Sequence, residues 1–353
     1  MYPNFKILSK ETKADLKAKI AESIAFEKQR ARRKRLRIIS WSAAAVLLIF
    51  LGLFAGLINS KQEPQFVSIS SIEQFAKSTE KASFEKSKDI KLVLANQEAI
   101  TVGDSATIAY NASGNKVNVN NKQIDQKNSA EAQFNTVLVP YGKRAHLSLA
   151  DGTLVWLNSG SKLIYPTAFN TKNREVFLEG EGIFDVAHNA EKPFFVRAAN
   201  NYSVRVLGTL FNVSCYPTDA KVSTALLRGK VKVAYAKKGF FSSDTLQTIL
   251  KPGMIASLDK KNQNIKTTVE NVEPLFSWRK GYYEFSQEKL PLVLDKLTRY
   301  YNVSFVMKAK NQNETYSGAF KLNDDLEKVV KTLEATTGLD LVYDETARKI
   351  TIN

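Results

Sequence analysis

The chain has 353 residues, a single cysteine and two histidines, and carries a formal net charge of +16. That length suits two or three domains. The lone Cys215 excludes an intrachain disulfide and a multi-cysteine metal cluster, and His146 and His188 are too few for a histidine-rich one, so no metal or other cofactor is expected. The charge would suit nucleic acid, but half of it sits in one arm: residues 1–37 hold 12 Lys/Arg against 4 Asp/Glu, and the rest shows no basic stripe. No nucleic-acid partner is expected.

Residues 9–29 read as a helix. Ser9 or Thr12 can cap it, and Glu11 and Asp15 suit its first turns. Leu16, Ile20 and Ile24 recur every four residues, a stripe too narrow to form a core. It could dock on another protein, lie on a membrane surface or stay solvated.

Residues 38–58, "IISWSAAAVLLIFLGLFAGLI", are uncharged and long enough as a helix to cross a hydrocarbon core of about 30 Å. A cleaved signal peptide would have a shorter apolar core and a better cleavage site than "GLINS". Arg32, Arg33, Lys34, Arg35 and Arg37 stand directly before the span, so the positive-inside rule predicts a single-pass protein with residues 1–37 in the cytoplasm and residues 59–353 outside. Those cations would contact membrane lipid headgroups.

Residues 59–90 read as a polar linker. From 91 to 270 the chain breaks into short alternating runs, an all-β domain built as a twisted sandwich or a short β-solenoid. No long amphipathic helix interrupts residues 131–262. In "RAHLSLADGTLVWL", Asp151-Gly152 reads as a two-residue hairpin turn. That register places Leu147 and Leu149 on one apolar face with Leu154 and Trp156, and turns His146, Ser148 and Val155 away. "REVFLEG" and "GIFDVA" read as separate strands. "LVLANQEAITV" (92–102) overlays "LSLADGTLVWL" (147–157) at an offset of 55.

No enzyme is legible here. Nucleophilic catalysis needs a base beside a nucleophile and a third group holding the base. His146 has no visible partner, and "DVAH" (185–188) lacks a third metal ligand. In "VRVLGTLFNV" (204–213), Gly208-Thr209 interrupts an alternating run. It reads as a β-bulge or as a self-cleavage site, where the Thr209 hydroxyl attacks the preceding carbonyl.

Residues 274–353 read as a small α+β domain of two β-α-β units. Leu290, Val293, Leu294 and Leu297 map onto Leu326, Val329, Val330 and Leu333 at an offset of 36, and Phe285 and Phe320 open the two units. Each helix is expected to pack on one shared sheet. With no phosphate loop or ligand cluster, the domain suits protein contact, through an exposed strand edge.

"VPYGKRAHLSLADGTLVWLNSGSKLIYP", "REVFLEGEGIFDVAHNAEKPFFV", "VRVLGTLFNVSCYP", "ALLRGKVKV" and "LKPGMIASL" resemble, in order, the blocks of the FecR family of single-pass anti-sigma regulators. The tail resembles the small domain that follows, itself similar to the short N-terminal domain of secretins and TonB-dependent transducers. The resemblance implies an inner-membrane regulator of cell-surface signalling. An extracytoplasmic-function sigma factor would be its cytoplasmic partner, held by Leu16, Ile20 and Ile24. The signalling domain of a TonB-dependent outer-membrane receptor would be its periplasmic one. It also implies that Gly208-Thr209 matches a bond at which some relatives break. The arm is shorter than is common in the family, which leaves a membrane-tethered envelope scaffold or a carbohydrate-binding protein as the alternative.

Overall fold

The computed structural model describes residues 71–79, 88–103, 105–126, 134–169, 171–199, 201–238, 243–307 and 314–353, together with Lys17, Lys19, Ala21, Glu22, Ser23, Ala25 and Lys28. The chain divides into two units, Met1–Gln65 and Phe66–Asn353. In the first, the seven described residues are helical and exposed, in keeping with a helix over 9–29. Leu16, Ile20 and Ile24, the Arg32–Arg37 cluster and the 38–58 span lie outside the described residues. Among the described residues no helix is long and apolar enough to cross a membrane.

The second unit opens with a helix, α1 (Ser71–Ser78), inside the stretch expected to be a plain linker. Its Ile72 and Ala76 are buried against Ile164 and Phe177. Among the described residues eighteen strands follow: β1 (Ile90–Val93), β2 (Ala99–Gly103), β3 (Ser105–Tyr110), β4 (Lys116–Val119), β5 (Lys122–Asp125), β6 (Phe134–Val139), β7 (Arg144–Ser148), β8 (Leu154–Leu157), β9 (Ser161–Pro166), β10 (Arg174–Asp185), β11 (Phe194–Ala198), β12 (Tyr202–Val206), β13 (Leu210–Cys215), β14 (Lys221–Arg228), β15 (Val231–Lys238), β16 (Ser243–Leu250), β17 (Met254–Asp259) and β18 (Asn264–Val269). One layer runs β2-β1-β6-β9-β10-β11-β12-β15-β16. The other runs β5-β4-β3-β7-β8-β10-β13-β14-β17-β18.

The layers bury one common core, in which Val137 and Leu163 of the first meet Leu147 and Leu157 of the second. This is a sandwich whose chain keeps crossing between layers, with hairpins alternating from one sheet to the other. The sandwich expectation holds and the solenoid alternative does not describe the pairing. The two runs "REVFLEG" and "GIFDVA" are one strand, β10, shared by both layers. Its first half pairs with β9 and β11 and its second with β8 and β13. The change of layer falls at Gly180, whose φ is +96°. A Cβ there would lie 2.6 Å from the Ser161 Cα, so only glycine fits.

The hairpin at Asp151 forms with a register one residue from expectation. The Leu149 amide donates to the Thr153 carbonyl at 2.9 Å, and the Gly152 amide to the Leu149 carbonyl at 2.9 Å. The loop therefore has three residues, Ala150-Asp151-Gly152, with Gly152 at φ +82°. Asp151 accepts from the Thr153 amide at 3.0 Å. Leu147 faces Val155, and His146 faces Trp156. A slip of one residue exchanges the two faces of a strand. Val155 and Leu157 thus enter the core, while Trp156 leaves it and stacks on His146 with ring centroids 4.9 Å apart.

The 55-residue repeat is structural. Leu94 donates to the Glu98 carbonyl at 2.8 Å and accepts from Gln97 at 2.8 Å; Asn96 accepts from the Glu98 amide at 3.1 Å. These are the bonds of the Leu149 turn shifted by 55, and Gln97 (φ +67°) takes the place of Gly152. The repeat exchanges layers, since β1 and β7 lie in opposite sheets. Tyr110 and Tyr165, also 55 apart, meet hydroxyl to hydroxyl at 2.8 Å in the core. Burial pushes Tyr110 up to about 12.

Cys215 is buried, and loss of solvation raises its thiol far above the usual range. The folded protein should not react with iodoacetamide, and the urea-unfolded protein should take up one equivalent. Alkylation of the folded protein at the unfolded rate would place Cys215 wrongly.

After β18, a 3₁₀ segment (Glu273–Lys280) leads into β19 (Tyr282–Lys289), α2 (Leu290–Tyr301), β20 (Ser304–Met307), β21 (Thr315–Lys321), α3 (Leu326–Thr337), β22 (Leu341–Asp344) and β23 (Lys349–Ile352). The two-unit pattern holds, and the helices bury the residues predicted for them, Leu326 alone being only partly buried. The shared sheet does not form. The opening strands pair with each other, β19 with β21, and the closing strands form β20-β23-β22. Phe285 and Phe320 stack across the first pair at 5.4 Å. Asp325 caps α3, accepting from the Lys328 amide at 2.8 Å.

Candidate functional site

The β-sandwich and the α+β region share a hydrophobic core. The 3₁₀ segment carries Pro274 in its first turn and stops at Gly281, whose φ is +88°. Between these it drives Phe276 and Trp278 onto the outer face of the second sheet. There Ile183 of β10, Leu210 of β13 and Ala225 of β14 join the core formed by Leu290, Val293 and Leu297 of α2. Residues 274–353 are therefore not packed as a free-standing module.

Two arginines clamp the same seam. The Arg144 Nη1 donates to the Trp278 carbonyl at 2.7 Å, and the guanidinium sits 5.3 Å from the Tyr300 ring centre. Arg299, near the end of α2, pairs with Asp219 and stacks 3.9 Å from the Tyr216 ring centre. The Arg299 carbonyl accepts from the Gly142 amide at 2.9 Å. A cavity of about 40 Å³ lies in the seam, lined by Glu181, Tyr216, Trp278, Lys296 and Arg299 among others. It has room for water and not for a metabolite. Glu181 accepts from the side-chain amides of Asn158 and Asn212, each at 2.9 Å.

The seam also engages Trp156. Trp156 contacts His146 and lies 5.5 Å from the Arg279 guanidinium, so its ring is already occupied. Burial lowers the His146 imidazole below its usual range. Among the described residues no group of three potential ligands could hold a metal ion.

On the three-stranded sheet, Val306, Thr351 and Val342 stand in one cross-strand row. Val306 is 43% exposed and Val342 53%. Among the described strands, β20 is paired on one side only. An apolar row beside an open strand edge can accept another strand.

Gly208-Thr209 occupies a corner where the chain leaves the first layer at β12 and enters the second at β13, so the expected bulge is not there. The register shift nearby falls between Leu210 and Phe211. A Cβ on Gly208 would lie 2.8 Å from the His188 Cα. From the other side, Gly229 (φ +99°) packs so closely that a Cβ would lie 2.8 Å from the Thr209 Oγ1. Thr209 is buried, and its hydroxyl donates to the Lys230 carbonyl at 3.1 Å.

Sequence reasoning missed Arg174, which the fold buries almost completely. Its Nη1 pairs with Asp151 at 2.7 Å. Asp151 and Arg174 each fall in a recognisable motif, but no local pattern joins positions 23 apart.

Residues 135–232 match the family described as FecR protein, and residues 282–352 match FecR, C-terminal. Two crystal structures of a candidate anti-sigma factor from Parabacteroides distasonis ATCC 8503 are similar. Each is 29% identical, with a TM-score of 0.54, and the likeness covers 62% of this chain and 98% of the other. No curated protein matches. The sandwich thus carries the FecR match and the region clamped behind it the FecR C-terminal match, so the chain is similar in both domains, and in their order, to the FecR family of regulators.

Proposed function

We propose that the chain is an inner-membrane regulator of cell-surface signalling. In this reading residues 1–37 lie in the cytoplasm and bind an extracytoplasmic-function sigma factor through Leu16, Ile20 and Ile24. Residues 38–58 cross the membrane, and the sandwich and the C-terminal domain stand in the periplasm. The signalling domain of a TonB-dependent outer-membrane receptor docks on the C-terminal domain, beside Val306 and Val342. The observation that carries the proposal is the ordered pair of family domains, together with likeness to a candidate anti-sigma factor along nearly all of that protein. The open edge of β20 supports the docking step.

The test is co-purification of the sigma factor with the full-length membrane protein. Ile20→Asp should abolish it, because an unpartnered charge in a small apolar contact costs several kcal/mol. Retention of the sigma factor by Ile20→Asp would reject the arm as the binding element.

Self-cleavage at Gly208-Thr209 belongs to the same proposal. The Thr209 oxygen would add to the Gly208 carbonyl, the peptide nitrogen would leave with a proton, and water would hydrolyse the resulting ester. The corner position suits a break that leaves the fold assembled, since β12 and β13 each keep neighbours on both sides. A new N-terminus at Thr209, absent from Thr209→Ala, is expected. A single full-length species from the unaltered sequence would reject cleavage.

A further inference from the structure

A larger cavity, about 290 Å³, lies away from the seam between the Asp151 turn, Phe169 and the loop from Ala187 to Lys192. Arg174 forms part of its wall and is 2% exposed. Its Nε donates to the Lys192 carbonyl at 2.8 Å. Its Nη1 donates to Asp151 at 2.7 Å and to the Ala187 carbonyl at 2.8 Å. The remaining nitrogen, Nη2, is buried and finds no acceptor among the described residues. A guanidinium can only donate, and buried N–H groups left unpaired are costly.

The charge around this cavity is not balanced. Among the described lining residues Asp151 is the one carboxylate, and it is matched by Arg174. Lys192 adds a second cation, held by the Phe169 carbonyl, and His188 adds an imidazole to the lining. Asn189 supplies a further amide at the rim, and Phe169 gives an apolar wall. The volume is near the lower end for small-molecule sites, about 300 Å³.

We propose that this cavity binds a small oxyanion, a carboxylate or phosphate on a compact molecule, with Lys192 and His188 facing its charge and Arg174 anchoring the wall behind. The site does not depend on the sigma-factor reading.

The test is calorimetric titration of the purified full-length protein, at constant ionic strength, with sodium phosphate, sodium glucuronate and neutral glucose. Saturable millimolar binding of phosphate or glucuronate, and none of glucose, is expected. Phosphate alone would mark a phosphate site and glucuronate alone a carboxylate site. Lys192→Met should weaken binding about tenfold, the equivalent of losing about 1.4 kcal/mol, while melting at the temperature of the unaltered protein. Absence of saturable binding by both anions, or equal binding by Lys192→Met, would overturn the proposal.

Discussion

Asp151→Ala is expected to lower the stability of the β-sandwich by about 3–5 kcal/mol, the usual cost of removing one partner from a buried ion pair. Arg174 would keep its charge inside the protein with only two carbonyls to receive it. The turn would also lose its side-chain acceptor for the Thr153 amide and hydroxyl, bonds of 3.0 and 2.7 Å. At about 2–4 °C per kcal/mol for a domain of this size, the melting temperature should fall by roughly 10 °C. Asp151→Asn, which keeps an acceptor but not the charge, should fall between. A loss within about 0.5 kcal/mol, the range of an unremarkable surface change, would mean that the pair contributes little.

Gly180→Val should be nearly as damaging, for a different reason. The φ of +96° disfavours any side chain by about 1–2 kcal/mol, and more for a β-branched one. The new Cβ would also meet the Ser161 Cα at 2.6 Å. Because that contact is backbone, no rotamer change relieves it, and β9 and β10 must part, adding about 1–3 kcal/mol of overpacking. The expected reading is a loss of about 3–5 kcal/mol in urea denaturation. A melt matching the unaltered protein would show that β10 does not turn between layers at this residue.

The same two sites show what the sequence could and could not convey. Turn chemistry is local, so the Asp151 hairpin and its counterpart at Asn96 were both legible, down to the equivalence of Leu94 with Leu149. The register was missed by one residue because Asp-Gly serves both a two-residue turn and a three-residue turn with glycine in the left-handed position. Apolar pattern could not break the tie, since Trp156 suits a core as well as Val155 does. What settles it lies far along the chain, in a C-terminal segment that brings Arg279 to the Trp156 ring and Trp278 and Leu297 to the seam. The same non-locality hid the seam and the Arg174 cavity. Helix α1 was missed because eight residues give too short a periodic signal. The C-terminal helices were read correctly from a repeated apolar face, but the split into two small sheets depends on which strands meet, and strand pattern does not specify that.

The most direct measurement of the central claim, a regulator reaching across the inner membrane, is the topology of the full chain. A periplasm-active reporter fused after Asn353 should be active, and the same reporter fused after Arg30 should be inactive. The opposite pattern, with activity at Arg30 and none at Asn353, would contradict a cytoplasmic arm joined to periplasmic FecR domains.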